Sequence, residues 1–286
     1  MLTGFDHLTV AVRDLASAVS QYSALLGFGP SWRGTHAELG TEAALFGLGN
    51  GMLELVAPLD GDSRADGLLA QLESAGDGPI AFAFATHDAA ACRTWLRERG
   101  VRAAPVVEGT AHASGAGSAG GVEPRVYRVV ELSPSQARGL SVYVVERPDR
   151  AELLAPADRS ADRPHAIDHL VVSTADPDAA VAFYGEQLGV RLALDRELSG
   201  GRMLFFRLGG VTLEVVQTAD QAATDRIYGI AYRVSDAEAA HARLAREGFA
   251  LTEPRDGNKP GTRVFTVRGG TCGVPTLIIA DPSRQN

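Results

Sequence analysis

Two histidines and two glutamates stand at matching points of a duplicated sequence, and together they have the chemistry of metal ligands. His7 lies in Phe5-Asp6-His7-Leu8 and His169 in Ile167-Asp168-His169-Leu170. Glu54 and Glu214 each end the phrase Leu-Gly-x-x-x-Leu-Glu. Neutral imidazole and carboxylate suit Zn, Ni, Fe, Mn or Co. Either glutamate could instead act as a general base toward an acidic C–H, a role that needs a carboxylate within hydrogen-bond reach. The competing reading is structural: an Asp-His pair that only braces a strand, and glutamates held by arginines or backbone donors.

The elements that must position these side chains follow from hydrophobic period and punctuation. Leu8, Val10 and Val12 alternate with His7, Thr9 and Ala11, the pattern of a half-buried strand. His7 and Thr9 therefore face away from the apolar side. Glu54 lies between Leu53 and Leu55, and Glu214 between Leu213 and Val215, so both glutamates also point opposite to the core. Each strand leads to an Asp suited to cap a helix, Asp14 and Asp176, and the helices share the phrase Ala-Val-x-x-Tyr-x-x-x-Leu-Gly. Asp88 to Gly100 and Asp236 to Gly248 repeat a cap-to-glycine spacing of their own. The chain thus reads as four βαβββ modules, an α+β protein of two halves. The expected domains are 1–147 and 165–286, joined by a linker at 148–164 rich in Pro, Asp, Arg and Ala. The Gly-, Ala- and Ser-rich stretch from Gly109 to Gly121 reads as a loop.

Bulk composition narrows the function. The 286 residues are 45% hydrophobic with a formal charge of -8, which disfavours a nucleic-acid partner. No apolar run reaches the roughly 18 residues of a membrane span, and no secretory signal opens the chain, so a cytoplasmic location is expected. Lys259 is the only lysine, which disfavours Schiff-base catalysis, and with only Cys92 and Cys272 no disulfide framework is expected. Serine-elbow, P-loop and dinucleotide fingerprints are absent.

Four modules opening with strand, Asp and helix resemble the vicinal oxygen chelate superfamily, which includes glyoxalase I, extradiol dioxygenases and bleomycin-binding proteins. The resemblance implies modules paired into two domains whose curved mixed sheets enclose cavities, with metal ligands on the first and last strands of paired modules. Those positions are His7, Ala81, His169 and Gly229 on first strands, and Glu54, Tyr143, Glu214 and Leu277 on last strands. Odd modules keep both ligands and even modules have neither. Sequential pairing of modules would leave one His and one Glu per cavity, fewer than the three protein ligands usual for catalytic zinc. Only a first-with-third pairing, or contact across a homodimer, would gather all four.

The resemblance implies a divalent-metal cofactor and a small oxygen-rich substrate. The expected activity is lyase or isomerase chemistry by Lewis-acid stabilisation of an enolate or oxyanion, with Glu54 and Glu214 as catalytic candidates. Extradiol dioxygenase activity is disfavoured by Gly229 and Leu277. The alternative is a non-catalytic small-molecule or antibiotic-binding protein. Strand parity places Phe205, Arg207 and Arg233 on the cavity side of the second unit, where they could bind substrate or merely form ion pairs. Ala81, Ala83 and Ala85 suggest a roomy first cavity, with Tyr143 as a hydrogen-bond donor or a space filler. The turn from Asn258 to Arg263 is a candidate rim contact. His36, His87, His112, His165 and His241 are expected in loops or on exposed helix, with no role.

Overall fold

The computed structural model describes residues 1–114, 124–154, 160–198, 201–218 and 224–281. The first half contains β1 (Gly4–Ala11), α1 (Leu15–Leu26), β2 (Trp32–His36), β3 (Thr41–Leu48), β4 (Gly51–Pro58), α2 (Asp66–Ala75), β5 (Gly78–Thr86), α3 (Ala89–Glu98), β6 (Val107–Ala113), β7 (Arg125–Glu131), β8 (Ser141–Glu146) and α4 (Arg150–Leu153). The second contains β9 (Ala166–Thr174), α5 (Pro177–Ala180), β10 (Arg191–Leu198), β11 (Gly201–Leu208), β12 (Val211–Gln217), β13 (Arg226–Val234), α6 (Ala237–Arg246), β14 (Arg255–Asp256), β15 (Arg263–Val267) and β16 (Thr276–Ala280).

The four anticipated caps all form. Asp14, Asp88, Asp176 and Asp236 accept hydrogen bonds from the backbone N–H of Ser17, Ala91, Ala179 and Ala239, satisfying donors that each helix start leaves open. After Asp176 the chain continues beyond α5 as a π-helix, Val181–Gln187.

Modules pair sequentially. In the first half β1 lies antiparallel to β5, and the order β1-β4-β3-β2-β6-β7-β8-β5 closes into a barrel. Closure comes from β2 pairing with β6, with Gly34 opposite Ala113 and His36 opposite Ala111. Gly34 makes that approach possible: a Cβ there would stand 2.1 Å from the His112 carbonyl oxygen. In the second half β9 lies antiparallel to β13, but the order β10-β11-β12-β9-β13-β16-β15-β14 stays open at both ends.

Register supports the internal equivalence. Glu54 pairs with Thr9, two residues past His7; Tyr143 with Ala83, two past Ala81; Glu214 with Val171, two past His169; and Leu277 with Ala231, two past Gly229.

A continuous apolar core crosses both halves. The Asn50 side chain bonds both backbone groups of Ile167, and Arg243 donates to the carbonyls of Ala24 and Leu25 at the end of α1.

Three expectations about loops need correction or limits. The glycine-rich stretch begins as strand: Gly109 to Ala113 belong to β6, where Gly109 leaves room for the Tyr127 ring, 2.4 Å from a would-be Cβ. Residues 115–121 of that stretch lie outside the described residues. Within 148–164, α4 packs on the barrel through buried Leu153, and residues 155–159 lie outside the described residues. His36 is a buried strand residue of β2, not a loop residue. His112 also sits on a strand, exposed on β6.

Candidate functional site

The barrel encloses a cavity of about 470 Å³. His7, Thr9, His36, Glu54, Tyr127, Tyr143 and Arg147 share its wall with apolar residues such as Leu68, Ile80 and Val129. The alternation that puts Leu8 and Val10 in the core puts His7 and Thr9 here. A larger surface groove of about 870 Å³, running past Arg13, Asp60 and Arg64, contains none of the anticipated donors.

Asp6 and His7 form the first layer of the site. Asp6 is fully buried, and its Oδ1 lies 2.7 Å from His7 Nδ1. Arg150 donates to its Oδ2 at 3.1 Å, and Arg147 Nε stands 3.6 Å from Oδ1. Burial would raise the Asp6 carboxyl, but the His7 bond and the two arginines outweigh it and hold the group below the usual carboxylate range. An ionised Asp6 takes the Nδ1 proton of His7 as a hydrogen bond, which leaves Nε2 facing the cavity. This is the arrangement in which a carboxylate orients a metal-binding imidazole.

His7 Nε2 points to Glu54 Oε2 at 3.4 Å, and Thr9 Oγ1 donates to the same oxygen at 3.1 Å. His36 Nε2 stands 3.9 Å from the other oxygen, Oε1. Glu54 is pushed up by burial, but His7, His36, Arg147 and Thr9 together bring it below its ordinary value, so it is ionised at neutral pH. His36 is driven down, first by burial, and stays neutral. Its Nδ1 lies 3.2 Å from the Tyr127 hydroxyl, while Nε2 is buried with no hydrogen-bond partner. Burial and the nearby Glu54 push Tyr127 up to about 12, keeping its hydroxyl protonated.

The donor set fits a divalent cation. A neutral His7 would aim a lone pair at a carboxylate oxygen, two acceptors in contact, unless a proton or a cation lies between them. The unpartnered His36 nitrogen is on the same side. Among the described residues no three His, Cys, Asp or Glu side chains converge as a ready-made ligand cage. The site is a His-Glu pair with a second imidazole at its flank, which leaves open positions for substrate oxygens or water.

The second half keeps the pair in a looser setting. His169 Nδ1 bonds Asp168 at 2.9 Å, but His169 Nε2 is 3.9 Å from Glu214. Burial raises the Glu214 carboxyl, and His169 alone opposes it. Arg233 donates to Asp168 at 2.9 Å and pairs with Asp281 at 3.2 Å, so its partner is the carboxylate behind His169, not Glu214. Arg207 is exposed and donates to Thr212, and Phe205 is half-buried opposite Glu214. Lys259, in the turn expected at a rim, pairs with Asp281. The two His-Glu pairs stay in separate sheets.

Sequence reasoning missed His36 and Arg147. The β2 sequence Trp-Arg-Gly-Thr-His has a central glycine and no clean alternation, so its strand signal is weak. Arg147 follows Glu146, the last residue of β8, at the edge of the linker composition. Counting parity onward from Tyr143 through Val145 would have placed Arg147 on the cavity face.

The glyoxalase-like domain model matches residues 5–154, and the glyoxalase/bleomycin resistance protein/dioxygenase superfamily model matches residues 166–284. No curated protein matches the chain. Among solved structures, a triple mutant of 4-hydroxymandelate synthase from Streptomyces coelicolor aligns with a TM-score of 0.69 at 16% identity, covering 98% of this chain and 93% of that one. A hypothetical protein from Staphylococcus aureus aligns at 0.65 and 10% identity, covering 96% and 98%. A Streptomyces coelicolor methylmalonyl-CoA epimerase variant aligns over 51% of this chain and 97% of its own, at 27% identity and a TM-score of 0.40. At these identities the two long matches speak to fold alone. With both halves matched by family models and both sheets built from paired βαβββ modules, the chain belongs to the glyoxalase-like proteins of the vicinal oxygen chelate superfamily, as a member with two such domains in tandem.

Proposed function

We propose that the N-terminal barrel is the working site of a metal-dependent enzyme acting on a small oxygen-rich organic molecule. The observation that carries this reading is the Asp6-oriented His7 facing an ionised Glu54 inside the barrel cavity. His7 and Glu54 would hold the ion, with His36 the nearest further donor. A divalent ion there supplies Lewis acidity toward a substrate oxyanion or enolate. Asp6 fixes the His7 tautomer, and Thr9 fixes the Glu54 carboxylate. Glu54, ionised at neutral pH, takes a proton from an acidic C–H at either carboxylate oxygen. Tyr127 and Tyr143, both protonated, supply hydroxyl donors from the same cavity wall. The lyase or isomerase class belongs to this proposal.

His169 and Glu214 form a second candidate pair, ranked behind the first because it is more open and lacks a flanking imidazole. The domain limits 1–147 and 165–286 are likewise proposed as the functional units, with 148–164 between them.

A metal-free binding protein is the second reading, and the same contact supports it: a proton between His7 and Glu54 would also make the pair an ion pair. Elemental mass spectrometry of the purified protein separates the two, alongside Glu54→Gln and Glu214→Gln. The expected result is about one ion per chain, lost in Glu54→Gln and kept in Glu214→Gln. Absence of metal after reconstitution with Zn, Ni, Mn and Fe would sink the enzyme reading in favour of sequestration.

A further inference from the structure

Arg147 helps to hold Asp6 and Glu54 ionised from a distance, but its own donors are left open. Its side chain is only 6% exposed, it makes no hydrogen bond among the described residues, and its Nε is buried without a partner. It lies over the Tyr127 ring, 5.4 Å from the centroid, on the cavity wall near Glu54. The carboxylate nearest to it among the described residues, Asp6 at 3.6 Å, is already bound by His7 and Arg150 at hydrogen-bond distance. Leaving buried donors unmade is costly, and a guanidinium presents five in a rigid fork. Stacking on Tyr127 holds the fork in place without consuming its donors.

Planar oxyanions match that fork, and the cavity's size and lining limit the rest of the ligand. The remaining wall is largely aliphatic, including Leu39, Leu68, Ile80 and Val107. Of the other charged groups on the wall, Arg64 is bound to Asp62 and Glu108 is within 3.4 Å of Arg128, while Glu38 is exposed at the mouth. Among the described residues of the wall, Arg147 is therefore the arginine whose donors can receive a ligand's anionic end.

We infer that the barrel cavity binds an organic carboxylate with an apolar body, its carboxylate bidentate on Arg147 and its body along the aliphatic wall. This rests on the reading of the barrel as the working site and names its substrate class.

Matched probes test it without knowledge of the substrate. Phenylacetate and hexanoate, each beside its neutral amide, are titrated into wild type, Arg147→Gln and Arg147→Lys by calorimetry, and metal content is measured on the same samples. Wild type is expected to bind at least one acid about tenfold tighter than its amide, a preference lost in Arg147→Gln and partly kept in Arg147→Lys. The inference is overturned if acids and amides bind wild type alike, or if Arg147→Gln keeps the preference. Should Arg147→Gln fail to fold, chelator-treated wild type decides: an acid preference kept without any ion supports Arg147 as the anchor, and its loss overturns the inference. Acid preference without metal would refute the metal reading alone, and metal without acid preference would refute this inference alone.

Discussion

The two halves carry the same Asp-His and Glu signature on the same strands in the same register, yet they build different surroundings for it. In the barrel, the His7 and Glu54 side chains are both 8% exposed and 3.4 Å apart, with His36, Thr9 and Arg147 around them. In the open sheet, His169 and Glu214 are 3.9 Å apart, and their side chains are 15% and 16% exposed. The carboxyl groups respond in opposite directions, Glu54 lowered and Glu214 raised. Duplicated donors therefore do not make duplicated sites; the surrounding side chains and the closure of the sheet decide in which direction each carboxyl is shifted and how far its pair is buried.

The strongest way to break this comparison is to remove equivalent histidines. His7→Ala is expected to weaken metal binding by roughly a hundredfold or more, since it deletes one of two converging donors. His169→Ala is expected to change it by less than about threefold. Competition with a metal-sensing dye measures both. Equal losses would mean that the halves share one site or contribute equally, and the contrast drawn here would fall.

The aspartates behind the histidines give the next largest difference, now in stability. Asp6→Asn would leave Arg147 and Arg150 without their buried counter-charge and is expected to cost roughly 3 to 5 kcal/mol. Asp168→Asn is expected to cost about 1 to 2 kcal/mol, because Arg233 keeps Asp281. Urea unfolding of the chelator-treated proteins reads both, and similar costs would refute the asymmetry.

Closure itself can be tested at Gly34. Its Cβ would meet the His112 oxygen at 2.1 Å and Trp32 at 2.4 Å, so Gly34→Ala must push β2 and β6 apart at roughly 2 kcal/mol or more. In the other half, a Cβ at Gly185 meets only Phe206 at 3.6 Å, and Gly185→Ala is expected within about 0.5 kcal/mol of wild type. If Gly34→Ala is neutral, the glycine is not what admits the closing pair.

These cases show what the sequence carries and what it conceals. The Asp caps, the strand parity around His7 and Glu54 and the module order are local patterns, and they survive into the structure because each is set by a few neighbouring residues. Closure of one sheet depends on β2 meeting β6, a contact between segments separated by the rest of the first module and the opening strand and helix of the second. The glycine that permits it weakens the very strand signal that would reveal it. His36 was hidden for that reason. Arg147 was hidden because the strand that aims it ends one residue earlier, among linker-like residues. In the open half, the parity that places Phe205 and Arg233 near the pair says nothing of Asp281, which draws Arg233 aside.

The smallest effect is also the most direct test of the two environments, because it concerns sign. A carboxyl lowered in the folded state contributes stability above its unfolded value, near 4.5, and loses it as pH falls through the lower folded value. Glu54 is that case. A carboxyl raised in the folded state does the reverse: stability falls as pH rises from about 4.5 through the higher folded value, where burying the charge begins to cost. Glu214 is that case. In chelator-treated protein at neutral pH, Glu54→Gln is therefore expected to destabilise and Glu214→Gln to stabilise, with both differences shrinking in acid. Thermal unfolding between pH 3 and 8 measures it. Two shifts of the same sign would mean that the two carboxylates sit in like surroundings, whatever the strand order around them.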